Sequence, residues 1–373
     1  MHLGQKAPGR IALAVALTLA ASTAARADIT TSFSGFGTVG GSFTSDSDYT
    51  YSHDASEFTK ASNQFDIGLE SRLGLQGSAD FGNGFSITAQ EVFRERGSDE
   101  FNPGTEWLYV QYSPESDLQI RLGRVVIPVF LFSDSRQVGY AAPWFRSPNE
   151  VYGAFPFDFV DGGQITWQKS LGRLSFTLQG TTGSTNGTFQ ANGGLTVVVK
   201  GHDIFNESLS VTYGDFLVRV AQTTLLSPNS LQLTPTFTLN YEEHGTYLSA
   251  GGQYDNGRAL LLGEWVSAKQ NPAPIFNEPL TASKAWYVAA GWHFDKFLPL
   301  VTYGDVHTEQ SILSTPNTKT SLSAGLRYDV VSNIALKAEV TRALGTDGYY
   351  FGTTDPASGK HVNVYSLGAD FVF

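Results

Sequence analysis

The chain has 373 residues, with 39 Gly, 26 Phe and 16 Tyr, no Cys, and 16% charged residues against about 25% in ordinary soluble domains. The absence of cysteine excludes a disulfide framework, a thiolate metal site and a cysteine nucleophile, and a formal charge of −11 makes nucleic acid an unfavourable partner. Abundant glycine and aromatic residues with few charges suit strands whose outer face meets lipid and whose ends carry aromatic girdles.

At the N-terminus, Lys6 and Arg10 flank the start of an apolar run, IALAVALTLAASTAA from Ile11, and Ala25-Arg26-Ala27 follows it. A basic start, a short apolar core and an A-x-A site predict a secretory signal peptide over residues 1–27, cleaved after Ala27. The run is too short for a membrane-crossing helix, which needs about 20 apolar residues. Cleavage removes Lys6, Arg10 and Arg26 and no acid, so the formal charge goes from −11 to −14 in a chain that starts at Asp28. Residues 28–373 are expected to form one barrel domain.

Beyond the leader, apolar and polar residues alternate in segments of about the ten residues that a tilted membrane strand requires. In the second expected strand Phe65, Ile67, Leu69, Leu73 and Leu75 alternate with Asp66, Gly68, Glu70, Arg72, Gly74 and Gln76. The pattern returns with Leu174, Phe176 and Leu178 against Arg173, Ser175, Thr177 and Gln179, and with Leu322, Ala324, Leu326 and Tyr328 against Ser321, Ser323, Gly325 and Arg327. Two places break it. Trp107-Leu108-Tyr109-Val110 is apolar on both faces, and Glu91 falls on the apolar side of its strand, as at a subunit contact or a bulge. Alternation alone does not say which side faces inward; a soluble sandwich would turn the apolar side in. If the chain crosses a membrane, a closed barrel is the architecture left, because no later stretch approaches a membrane helix in length.

Tight turns are expected at Phe81–Gly84, Ser113–Asp117, Ser170–Arg173, Tyr213–Asp215, Asp255–Gly257, Asp295–Phe297 and Asp329–Asn333. Long polar connections fall between them, at about 45–62, 96–104, 127–157, 183–205, 227–244, 269–283, 309–319 and 345–361. Eight long connections and seven turns, with both ends on the turn side, give an all-β fold: a transmembrane antiparallel β-barrel of sixteen strands. The segment 231–243 is assigned to a loop; reading it and Leu195–Lys200 as strands gives eighteen, the alternative count.

In the last segment Tyr365, Leu367, Ala369, Phe371 and Phe373 alternate, and the chain ends on Phe373. Here it resembles the Gram-negative porin family, whose final strand ends in Phe and is read by the barrel-assembly machinery; Phe371 and Phe373 are the matching positions. The strand Leu118–Val126, with Arg121-Leu122-Gly123-Arg124, leads into the longest connection, IPVFLFSDSRQVGYAAPWFRSPNEVYGAFPF over 127–157. A strand ending in LGR before a long third loop is similar to trimeric sixteen-stranded porins, in which that loop folds into the lumen and narrows it. The likeness runs from Phe33-Ser34-Gly35-Phe36-Gly37 to Phe373. It implies a homotrimer in outer-membrane lipid, without cofactor or metal, passing small hydrophilic solutes and ions. The loop departs from the acidic PEFGG-type loop of enterobacterial porins, being richer in aromatics and prolines, which leaves the solute open.

On the expected inward face of strands two, three and five stand Arg72, Arg94, Arg96 and Arg121; Arg124 and Arg136 are further candidates for the site, the strand register being lost near Val125. Opposite them the loop offers Asp134 and Glu150, with Asp158 and Asp161 just beyond. A basic wall facing an acidic loop sets a transverse field that sorts ions; each charge alone is more readily explained as a solvated lumen residue, and their clustering on adjacent strands is what favours the wall. Tyr140, Trp144, Phe145 and Tyr152 either pack the loop to the wall or form a stacking surface for sugar rings. No H-E-x-x-H spacing occurs, and His244, His293, His307 and His361 are isolated near strand ends. The competing functions are a barrel serving as an enzyme or adhesin scaffold, and a secreted β-sandwich.

Overall fold

The computed structural model describes residues 29–373 apart from 48, 52–61, 96–100, 156, 192–194, 235–236, 274–280, 310–316, 345–350 and 354–360. The expected leader and Arg96 lie outside the described residues. In chain order the strands are β1 (Thr30–Thr44), β2 (Tyr49–Tyr51), β3 (Arg72–Gly82), β4 (Phe85–Glu95), β5 (Phe101–Glu115), β6 (Leu118–Val126), β7 (Phe159–Leu171), β8 (Leu174–Ala191) and β9 (Leu195–Tyr213). They continue with β10 (Phe216–Thr234), β11 (Phe237–Asp255), β12 (Ala259–Ala273), β13 (Thr281–Trp292), β14 (Phe297–Thr308), β15 (Asn317–Val331), β16 (Ile334–Leu344), β17 (Phe351–Thr353) and β18 (His361–Val372). Sixteen of them close into one barrel, while β2 and β17 pair as a separate two-stranded sheet.

Closure joins the first strand to the last: β1 pairs antiparallel with β18 from Phe36↔Val372 to Thr44↔Val364. The terminal residue extends the seam, since the Phe373 amide donates to the Gly35 carbonyl and the Gly35 amide to the Phe373 carbonyl, both at 2.9 Å. Glycine is needed there because a Cβ on Gly35 would lie 2.3 Å from the Phe373 ring, and one on Gly37 would lie 2.4 Å from Phe371. No edge strand is left in the barrel to pair with another chain.

Each strand sends alternate side chains to opposite sides. Along β14, Leu298 and Leu300 are each 4% exposed while Val301 is 53% exposed. The exposed row is largely apolar, including Val39, Leu122, Ile165, Val218, Leu248 and Val288. At the turn-side edge aromatic pairs stack across strands, Phe85 on Tyr112, Phe216 on Tyr254 and Phe297 on Tyr328, with centroids 4.5–4.6 Å apart. These rows form the lipid-facing band and its girdle, where a Lys or Arg at the midplane costs about 2–4 kcal/mol.

The strand number agrees with sixteen, but several boundaries do not. Residues 62–71 precede β3 as a loop joined to β1 by a Ser42↔Asp66 bridge, so the alternation at Phe65–Glu70 is not strand. Segments 183–205 and 227–244 are largely strand: β8 has 18 residues and β9, β10 and β11 have 19 each. The segment 231–243 therefore belongs to β10 and β11, and Leu195–Lys200 to β9. These hairpins lengthen strands that already cross, so they add no crossing; about ten residues suffice for the membrane.

Gly123 sits in β6 at φ +130, and a Cβ there would lie 2.2 Å from the Leu108 carbonyl oxygen. Gly123→Ala is expected to destabilise the barrel by about 1–3 kcal/mol, read as a lower urea midpoint of the refolded protein; an unchanged midpoint contradicts the assigned backbone.

Candidate functional site

Parity places Arg72, Arg94 and Arg121 on the inner face. Arg72 on β3 lies directly opposite Arg94 on β4 in the ladder, and Arg72 shares its row with Thr38, which is 4% exposed on the inner side of β1. Arg121 on β6 faces the same interior through three amides: its Nε donates to Gln111 Oε1 at 2.9 Å, Nη1 to Gln164 Oε1 at 3.2 Å and Nη2 to Gln119 Oε1 at 3.2 Å. Its guanidinium also stands 4.9 Å from the Tyr109 ring centroid. Neutral amides hold this guanidinium in place without cancelling its charge.

The connection between β6 and β7 makes short turns at Ser133–Ser135 and Gly139–Ala141 and one helical turn, α1 (Asn149–Tyr152). Having no ladder of its own, it needs other partners for its backbone, and the inward rows of the barrel supply them. Arg219 donates to the Pro128 carbonyl at 2.6 Å and Ser249 to the Val129 carbonyl at 2.6 Å. Arg327 donates to the carbonyls of Tyr140 and Ala142 at 2.7 and 3.1 Å, and Lys337 to those of Gly139 and Ala142 at 2.7 Å. Glu264 accepts from the other direction, taking the Leu131 amide and the hydroxyls of Tyr152 and Tyr287 at 2.6–2.7 Å. Trp144, 2% exposed, donates from its indole nitrogen to Thr302 at 2.9 Å.

Among the expected loop residues, Arg136 is held by Asp158 at 2.8 Å. Asp134 lines a small cavity with Gln90, Glu106 and Asp158. Tyr140 donates to the Ser332 carbonyl at 2.8 Å. Glu150 is buried against Ser321, whose hydroxyl donates to it; burial raises its carboxyl above the ordinary 4.5. Trp144 and Tyr152 are buried against the wall, so these two rings offer no open face to a sugar.

Arg124 and Asp161 are corrections. They form a bidentate pair at 2.7 and 2.8 Å, but on the outer side of the sheet, in the rows of Leu122 and Ile165. Arg121 and Arg124 are three positions apart with the ladder unbroken between them, and an odd separation puts side chains on opposite faces.

Arg146 was not singled out from the sequence, and it joins more of the site than any residue that was. Its guanidinium bonds Glu70 at 2.7 Å, Ser42 at 3.3 Å and Ser366 at 2.5 Å and lies 4.6 Å from the Tyr51 ring centroid. No local pattern marks it, because its partners come from β1, β18 and the segment before β3. Arg72, Arg94, Arg136 and Arg146 line one cavity, open to solvent, together with Gln137 and Asn149.

Glu70 is 1% exposed, so Arg146→Ala leaves a buried carboxylate without its cation and is expected to cost about 3–5 kcal/mol. Thermal unfolding checks this: Glu70→Gln added to Arg146→Ala should recover part of the loss, and equal stability of the single and double variants contradicts the pairing.

A family model described as Gram-negative porin matches residues 12–348. No curated protein sequence matches the chain. Among solved structures, OmpT of Vibrio cholerae, an in-vitro folded outer membrane protein in trimer form, is 16% identical over 92% of this chain and 99% of its own, with a TM-score of 0.63. An anion-selective porin from Comamonas acidovorans is 13% identical over 93% and 100%, with a TM-score of 0.61. OmpF of Salmonella typhi, in complex with daunomycin, is 13% identical over 92% and 97%, with a TM-score of 0.57. At such identities these structures speak to the fold, and they agree with the closed sixteen-strand barrel. With the family match spanning most of its length, the chain belongs to the Gram-negative porin family, outer-membrane β-barrels that form channels.

Proposed function

We propose that this porin passes small hydrophilic solutes by passive diffusion and prefers anions, with its narrowest section between Arg72, Arg94 and Arg121 and the connection at 127–157. One observation carries the reading: the cavity between wall and connection is lined by four arginines and, among the described residues, by no carboxylate. Acids beside it are engaged, Asp158 with Arg136, Glu70 with Arg146 and Asp370 with Lys337. Glu150 turns toward Ser321 on β15, away from the wall. Asp158 and Glu70 balance Arg136 and Arg146 on the connection side, so the reading puts a positive field on the wall side, at Arg72, Arg94 and Arg121. A narrow passage with low-dielectric walls focuses that field, so it outweighs the net negative charge of the whole chain.

The same reading takes Phe371 and Phe373 as the assembly signal, residues 1–27 as a leader removed on export, and the working form as a homotrimer. Its channel needs no catalytic group or cofactor. The solved relative described as anion-selective and the one in trimer form accord with it. In a planar bilayer under a salt gradient the reversal potential is expected to report anion preference. Arg72→Ala with Arg94→Ala should lower the anion-to-cation permeability ratio several-fold, and more at low salt than at high salt. A cation-preferring parent, or a ratio unmoved by the double substitution, contradicts the arginine passage.

A further inference from the structure

A second cavity lies on the turn side of the connection and shares no residue with the arginine cavity. Leu260 and Leu262 of β12 and Leu298 of β14 form its back, while Phe132, Ala141 and Pro143 of the connection form the wall facing them. Gln253 and Asp255 of β11, His293 just after β13, and Arg327 and Asp329 of β15 complete the lining. All the strand residues in this set stand near the turn-side ends of their strands, so the cavity belongs to the turn-side mouth of the lumen. The interior of a water-filled barrel is ordinarily polar. Inward leucines beside charged groups are the chemistry of a site for an amphipathic molecule.

Its charged groups leave two acceptors open. Asp329 gives only Oδ1 to Arg327, which reaches it from Nε at 2.9 Å and from Nη2 at 2.8 Å. Nη1 of Arg327 is spent on the carbonyls of Tyr140 and Ala142. Asp255 also uses Oδ1, which takes the Gly257 amide at 2.9 Å and stands 3.4 Å from His293 Nε2. Among the described residues neither Oδ2 has a donor. Lys296, on the neighbouring turn, donates to the Val330 carbonyl at 2.9 Å and is not part of the lining. Two carboxylates therefore stand beside one guanidinium that is already committed, next to apolar walls. An ammonium group brings three donors and the compensating charge, whereas an anionic head would meet like charge.

We propose that this cavity binds a small organic cation, a primary ammonium carried on an apolar body the size of an aromatic ring. The ammonium meets the open carboxylate oxygens at the rim, and the ring lies between Phe132 and the leucines, where aromatic contact and apolar burial add to the charge. Entry is from the turn side, because Arg72, Arg94 and Arg121 oppose a cation arriving through the passage. A molecule held there narrows the turn-side mouth and hinders conduction from that side only. The binding itself goes beyond the diffusion reading and does not need it; the sided block rests on it.

Phenylethylammonium is the probe, with phenylethanol and phenylpropionate as its neutral and anionic counterparts. Each is titrated calorimetrically into the refolded protein in detergent, against a micelle blank, at a pH of about 8, above the ordinary histidine range. Saturable binding of the cation is expected, about ten-fold tighter than that of the alcohol, the weight of one charged hydrogen bond, with the carboxylate weaker still. Asp255→Asn with Asp329→Asn should bring the cation down to the affinity of the alcohol. Because Asp329 also holds Arg327, Ala141→Phe serves as a second variant; it keeps both carboxylates, puts a ring into the cavity and should abolish binding of the cation. The heat-dependent gel shift confirms that each variant is a folded barrel. Equal affinity for the three probes, no saturable binding of phenylethylammonium, or an unchanged affinity in either variant overturns the site. In a planar bilayer the cation should lower the anion current when added on the turn side and not when added on the other; equal block from both sides overturns the turn-side location. Failed binding in a channel that still prefers anions refutes this site and leaves the diffusion reading standing.

Discussion

Hydrocarbon offers no partner to a peptide group, and that single constraint organises the molecule. Every strand that crosses must have a neighbour on each side, so the first must meet the last; here β1 and β18 do so, and Phe373 completes the seam with Gly35 through paired amides and carbonyls. Once the sheet is closed, the pleat sorts side chains into two rows with opposite tasks. The apolar row meets lipid. The other row is released from packing a core and can carry Arg72, Arg94, Arg121 and their amide partners.

The same rule governs the connection between β6 and β7. Carbonyls that have no strand beside them are taken up by Arg219, Arg327 and Lys337, and a free amide by Glu264. These inward charges therefore anchor backbone, whereas the arginines of the first six strands face the cavity. The two sets lie apart along the chain: β10 to β16 hold the connection, while the selection proposed above falls to arginines of β3 to β6. Arg124 and Asp161 follow neither pattern, because they look outward.

Much of the fold was legible because a period of two survives any uncertainty about where strands end. The sixteen-strand number came through although the loops at 183–205 and 227–244 proved to be strand, since lengthening a hairpin beyond the bilayer leaves the crossings unchanged. Phe65–Glu70 misled for the converse reason: alternation without a ladder partner looks the same in sequence as alternation with one. Arg72 and Arg94 were readable from parity, while Arg124 and Asp161 were misplaced through a register lost near Val125, where the ladder in fact runs unbroken. Arg146 and Glu70 are 76 positions apart, and nothing local joins them. One further signal was present: the inward row of β12, with Leu260, Leu262 and Val266 around a lone Glu264, is too apolar to line water and marks where the connection lies against the wall.

The central claim is that the apolar rows touch lipid and the polar rows do not. Single cysteines at Ser321, Leu322, Ser323, Ala324, Gly325 and Leu326 along β15, each carrying a fluorophore, test it with a nitroxide-bearing lipid. The account predicts quenching that alternates with every residue, strong at 322, 324 and 326 and weak at 321, 323 and 325. Quenching that is uniform along the strand, or strongest at the serines, contradicts it.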